Sequence, residues 1–198
     1  MRELGGRGML LRVEGHFVTH PEVGVDPSVP VPEWGLSDSG RSRLDRLLEL
    51  PWARTATCVA SSAERKARET ADALARVAGV EVLVDADLGE NDRSATGFLP
   101  PDEFEAVADE FFAHPSRSAR GWETAHAAQR RVVRAVERLL RDHPDQRLVI
   151  VSHGGVGTLL QCSLAGVDID RRHDQPGQGS WYRFDGASWQ LLHGWRRI

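Results

Sequence analysis

The run Leu148-Val-Ile-Val151 constrains this chain more than any other segment. Four branched aliphatic residues in a row leave no polar side to face water, so the segment reads as a strand buried on both faces. It passes through Ser152 into His153-Gly-Gly-Val-Gly157 and a further apolar stretch to Gly166, a strand handing over to a glycine-rich helix start. A strand buried on both faces needs cover on both sides, which points to a sheet held between helical layers.

The rest of the chain fits that frame. Gly15-His-Phe-Val-Thr-His20 is a first strand, bounded by Gly15 and Pro21, and the proline-rich stretch from Pro21 to Pro32 is a loop. Leu36-Ser-Asp-Ser-Gly40 opens a helix with Leu44, Leu47 and Leu48 on one face, stopped at Pro51; Thr55 to Ala60 is a second strand. Ser61, with Glu64 three residues on, has the capping-box pattern for a helix carrying Ala67, Ala71, Leu74 and Ala78 and ending at Gly79. Val80 to Val84 is a third strand, and residues 85 to 100 are irregular. Phe104, Val107, Phe111 and Phe112 mark a short helix after Pro101, and Ala128, Val132, Val136, Leu139 and Leu140 line a longer one. Trp181 to Phe184 and Trp189 to Leu192 flank Asp185-Gly186 as a hairpin. The expected fold is a three-layer α/β sandwich, its sheet mostly parallel with helices on both faces. It forms one domain over residues 1–198, with residues 91–122 as a cap beside the site.

Charge and cysteine content narrow the function. Lysine and arginine number 25 against 29 aspartates and glutamates, a formal charge of -4. That gives no general attraction to nucleic acid or to an anionic membrane, so any anion site has to be built locally. The Arg130, Arg131, Arg134, Arg138 and Arg141 series is interleaved with Glu137 and Asp142 and reads as a solvated helix face. Cys58 and Cys162 lie in apolar runs and read as buried thiols of a cytoplasmic protein. Met9-Leu-Leu is too short for the apolar core of a secretory signal, and no stretch has the length of a membrane span. His16 and His20 share a face of the first strand, but no companion ligands at metal spacing accompany them, so no metal is expected. Trp34, Trp122 and Trp181 lie in loop or edge contexts, where packing and lining a pocket mouth are equally good accounts.

In sheets of this kind ligands bind beyond the carboxyl ends of the strands. His20, the helix start at Ser61-Ser62 and His153 all fall there, placing two imidazoles and a helix N-terminus at one edge, an arrangement suited to an anion. The glycines after His153 lack the lysine and hydroxyl of a P-loop.

The order of strand-His20, Leu36-Ser-x-x-Gly40, Ser61-Ser-x-x-x-Lys-Ala-x-x-Thr-Ala71, Glu90, Glu123-Thr-x-x-x-x-x-Arg130 and Val151-Ser-His-Gly-Gly155 resembles the histidine phosphatase superfamily, phosphoglycerate mutase-like proteins included. The resemblance runs from about Gly15 to Phe184. It implies that His20 attacks phosphorus to form a phosphohistidine, that Glu90 is the acid/base, and that His153 holds the phosphoryl oxygens. Glu90 would then need a raised pKa, and Glu123 would pair with Arg130. The family pattern has arginines where this chain has Thr19 and Lys66, Gly where it has Pro21, and often asparagine where it has Asp26. Thr19 and Lys66 are therefore the remaining candidates for phosphate binding, with Arg65, Arg68 and Arg93 as substitutes. Lysine keeps a charge but loses the planar two-pronged grip.

The function implied is metal-independent, cofactor-free hydrolysis of a small phosphorylated metabolite, with no nucleic-acid or membrane partner and with a homodimer admitted. The alternative is a degenerate member that binds phosphate or a partner without turnover. A phosphoglycerate-type mutase is disfavoured by the lost arginine. Glu90, beside Asp87 and Asp92, could also be no more than part of a solvated turn.

Overall fold

The computed structural model describes residues 13–198. Residues 1–12, with the Met9-Leu-Leu stretch, lie outside the described residues. Among the described residues, six strands form one sheet in the order β3-β2-β4-β1-β5-β6, with β1 at Glu14–Thr19, β2 at Cys58–Ser61, β3 at Val82–Val84, β4 at Leu148–Ser152, β5 at Ser180–Asp185 and β6 at Gln190–Arg197. The first four in that order are mutually parallel, and β5 and β6 add an antiparallel hairpin at the β1 edge. The helices are α1 at Asp38–Leu48, α2 at Arg65–Ala78, α3 at Pro101–Ala113, α4 at Ala125–Asp142 and α5 at Gly154–Ala165.

Alternation along the strands splits the core into two. Phe17, Cys58, Ala60, Leu148, Ile150, Tyr182 and Phe184 pack under α3, α4 and α5. Val18, Val59, Val149, Val151 and Trp181 pack under α1 and α2. The continuous apolar run of β4 is explained by this, since its successive side chains enter opposite cores and all five residues are buried. Cys58 and Cys162 are both buried free thiols. His16 is stacked on Trp52, with centroids 4.5 Å apart, and tilted against Trp181. It is a packing residue of the α1/α2 face. Among the described residues, no helix is long and apolar enough to cross a membrane.

The site follows from the topology. The chain leaves β1 toward α1 on one face and leaves β4 toward α5 on the other, although the two strands are neighbours. Diverging connections open a crevice at the strand ends. Register places Thr19 opposite Ser152, so His20 and His153 emerge at one level, and Ser61 opposite Val151, so Ser62 emerges one step behind them.

The capping box expected at Ser61 does not form. Ser61 is the last residue of β2, and α2 begins at Arg65 with Glu64 at the cap position and no side-chain cap bond. The strand starts later than the expected Thr55, at Cys58, and ends one residue later than Ala60, because its ladder to β4 continues through Ser61.

Candidate active site

His20 follows β1, its N–H bonded to the carbonyl of Ser152 and its carbonyl to the N–H of Gly179. The next stretch is held to α1: Glu22 O accepts from both the N–H and the hydroxyl of Ser37. A Cβ on Gly40 would collide with that same carbonyl, which is the physical content of the Leu36-Ser-x-x-Gly40 motif.

The rings of His20 and His153 meet edge to face with centroids 5.2 Å apart. Nδ1 of His20 lies 2.8 Å from the carbonyl oxygen of Pro21. A carbonyl only accepts, so Nδ1 carries the proton and Nε2 keeps its lone pair. Burial, reinforced by neighbouring His153, takes the His20 pKa down to about 3. The imidazole is therefore neutral at neutral pH.

Nε2 of His153 lies 2.7 Å from Ser62 Oγ and 3.2 Å from Glu64 Oε1. An ionised carboxylate donates nothing, so this nitrogen carries the proton and is shared between the two oxygens. Burial lowers the His153 pKa against the opposing pull of Glu64 and Glu90.

Lys66 is buried in the first turn of α2; its ammonium donates to Val31 O at 2.9 Å and pairs closely with Glu64 Oε2. Burial would raise the Glu64 pKa, but His153, Lys66 and the Glu90 amide together bring it down to about 2. Arg65 points elsewhere, to Glu69.

Glu90 joins the group from the loop after β3. Its Oε2 accepts from the Gly155 amide at 3.1 Å and its Oε1 from the Val156 amide at 3.0 Å, both in the first turn of α5. A Cβ on Gly155 would stand 2.7 Å from that carboxylate, so Gly155 makes room for Glu90, while a Cβ on Gly154 would meet Gln175 instead. The expectation of a raised pKa is overturned. Burial pushes it up, but Arg93, His153 and the Asn91 and Gly155 amides outweigh burial and leave it below the usual carboxylate value. Arg93 Nη2 stands 3.9 Å from Glu90 Oε2, its guanidinium lying over Phe104 and Trp122. Of the three arginines considered as substitutes, Arg93 is the one beside Glu90.

Glu123 pairs with Arg131 at 2.7 Å, not with Arg130, which is exposed. Arg131 also donates to the carbonyls of Asp87, Gly89 and Glu90, so it clamps the segment that carries Glu90. Thr19 is buried, with its hydroxyl donating to Gln175 Oε1 at 2.7 Å and lying 3.2 Å from Ser180 O. Asp26 is exposed and bonded to Ser28. Sequence reasoning missed Glu64 as a site residue, reading it as half of a capping box, and it missed Gln175, whose loop carries no local signal. Trp34, on the loop after β1, meets Phe98, on the segment between β3 and α3, with centroids 5.6 Å apart. His20 is left 8% exposed and His153 1%.

Two neutral imidazoles, one ion-paired ammonium and a carboxylate held by amides at a strand-end crevice suit the handling of a phosphoryl group. The model of the histidine phosphatase superfamily (branch 1) matches residues 30–194, and the chain belongs to that family. The match begins at residue 30, after Thr19-His20-Pro21. Solved structures agree on the fold. A mycobacterial glucosyl-3-phosphoglycerate phosphatase in complex with inorganic phosphate superposes with a TM-score of 0.72 at 22% identity, covering 87% of this chain and 88% of its own. A putative alpha-ribazole-5'-P phosphatase from Escherichia coli gives 0.70 at 20%, covering 94% and 96%. YhfR from Bacillus stearothermophilus gives 0.71 at 21%, covering 86% and 89%. No curated protein matches the chain in sequence.

Proposed function

We propose that this protein hydrolyses small phosphomonoesters through a phosphohistidine on His20, without metal or other cofactor. The observation that carries the proposal is the Nδ1 bond from His20 to Pro21 O, which leaves Nε2 unprotonated in a neutral ring. Nε2 forms the bond to phosphorus as the ester P–O bond breaks and its electrons leave on the alcohol oxygen, which takes up a proton from solvent water. Water then attacks the phosphorus, breaks the N–P bond and frees inorganic phosphate. Glu90, held ionised, is suited to take the proton from that water. His153, Lys66 and the Thr19 hydroxyl are the phosphate contacts, with fixed donors meeting charge as it develops. Residues 91–122 act as the cap over this site. The two named phosphatases of the same fold, one for glucosyl-3-phosphoglycerate and one putatively for alpha-ribazole-5'-P, support a small phosphorylated metabolite as the substrate class.

A second reading is favoured by a specific observation. Lys66, the one lysine or arginine at the phosphate positions carried over from the family, is already neutralised by Glu64. A member that binds phosphate or a partner without turnover would look like this. Labelling with a radioactive aryl phosphate in the presence of EDTA, quenched in alkaline detergent because the N–P bond is lost in acid, separates the two. The hydrolytic reading expects label on wild type and none on His20→Ala. Turnover that disappears on chelation, or that persists in His20→Ala, contradicts it.

A further inference from the structure

The carboxylate of Glu64 collects the donors that a phosphoryl oxygen would seek. Its Oε1 lies 3.2 Å from the Nε2–H of His153 and accepts the Glu90 amide at 3.2 Å, while Oε2 takes the Lys66 ammonium. Two of these donors, His153 and Lys66, are the ones the hydrolytic cycle assigns to phosphate, and Glu64 itself has no task in that cycle.

Its placement has a local cause. Glu64 stands at the cap of α2 with extended backbone, φ −69 and ψ 141, where a short side chain such as aspartate or serine would ordinarily bond the first-turn amides. It makes no such bond. The cap position is left to the Ser62 hydroxyl, which accepts the Glu64 amide at 3.2 Å, and the Glu64 side chain is free to turn inward. The side chain is 16% exposed, so its charge is only weakly screened by water, and the field of both Glu64 and Lys66 reaches His20.

We infer that Glu64 is a built-in anion that holds the phosphoryl seat, so that a phosphate group binds only by displacing its carboxylate from His153 and Lys66. The inference rests on the phosphoryl-transfer reading of this site and adds a specificity determinant to it. Two anions cannot share one ammonium in a closed pocket without repulsion, which lowers the affinity for inorganic phosphate and for any dianionic ester.

The test is calorimetric titration of inorganic phosphate into wild type, Glu64→Gln and Glu64→Leu, with the labelling experiment run on all three. Glutamine keeps the shape and can still accept the Glu90 amide; leucine removes both charge and bond and serves as the second variant. The expected result is phosphate binding tightened by roughly ten- to a hundredfold in both variants. Adding Lys66→Met to Glu64→Gln should reverse the gain. A role confined to holding Lys66 or the start of α2 predicts a lower melting temperature with phosphate affinity unchanged or weaker, and that result overturns the inference. Label on wild-type His20 with no tightening in either variant sinks this inference alone. No label and no phosphate binding in any of the three proteins sinks the hydrolytic reading and this inference with it.

Discussion

Glu90 closes the first turn of α5 with its carboxylate, accepting the amides of Gly155 and Val156 at 3.1 and 3.0 Å. A carboxylate bonded to helix N-terminal amides is stabilised in its charged form. In the proposed cycle it is ready as the base of the second step and poorly placed to protonate a leaving group in the first.

Glu90 should therefore make the enzyme selective for its leaving group. Aryl phosphates, whose leaving groups depart without a proton, should be turned over faster than alkyl phosphates by a factor of roughly 10² or more, the scale of losing general acid help. Glu90→Gln should form the phosphohistidine from an aryl phosphate but release phosphate slowly. Quench-flow labelling that shows neither formation nor accumulation in the variant would remove Glu90 from the second step.

Lys66 and Glu64 form a pair with side chains 5% and 16% exposed. Lys66→Ala strands a buried carboxylate beside His153. It should cost about 3–5 kcal/mol of stability and lower the turnover of an aryl phosphate by roughly ten- to a thousandfold, the scale of one charged transition-state contact. Lys66→Arg keeps the charge and should preserve or raise activity. Urea denaturation and steady-state rates on both variants check the two effects separately.

In the proposed cycle Arg131 would position Glu90. Its guanidinium ties Glu123 to the loop carbonyls of Asp87, Gly89 and Glu90. Arg131→Lys keeps the charge and loses the fork, so kcat should fall about tenfold or more with KM little changed, because the loss is alignment rather than binding. Arg130→Ala, on an exposed side chain, should leave both constants at wild-type values.

Acid sensitivity should be set by buried histidines. His16 and His20 each have a pKa of about 3 in the folded protein, chiefly through burial, against 6.5 as the ordinary value. Between those values the unfolded chain binds more protons, so stability falls as pH falls below 6.5. Glu64, at about 2 against 4.5, contributes stability that is present above 4.5 and lost further down, in the same direction. From pH 7 to pH 5 the two histidines together should cost about 4 kcal/mol. His16→Phe, which keeps a ring against Trp52, should remove about half of that drop. Urea midpoints that stay level between pH 7 and pH 5 would show that these rings are not neutral in the fold.

The sequence by itself determined the layered α/β class, the strand ends that carry His20 and His153, and the presence of Thr19 and Lys66 where the resemblance calls for arginines. These are legible because hydrophobic period and strand-to-helix order are local properties, and because a parallel sheet sends its strand ends to one edge. Tertiary structure alone decided which arginine meets Glu123. Residues 130 and 131 point about 100° apart on a helix, and only the packing phase of α4 selects between them. It also decided the fate of Glu64. The same Ser-x-x-Glu spacing serves a cap or a site, and here the β2–β4 ladder runs through Ser61 and delays the helix, turning the carboxylate toward His153. Gln175 reaches Thr19 from 156 residues away, a contact that no local pattern encodes. The depressed pKa of Glu90 arises likewise, since the Gly155 amide and the Arg93 guanidinium that hold its charge meet it only when α5 and the loop after β3 pack together.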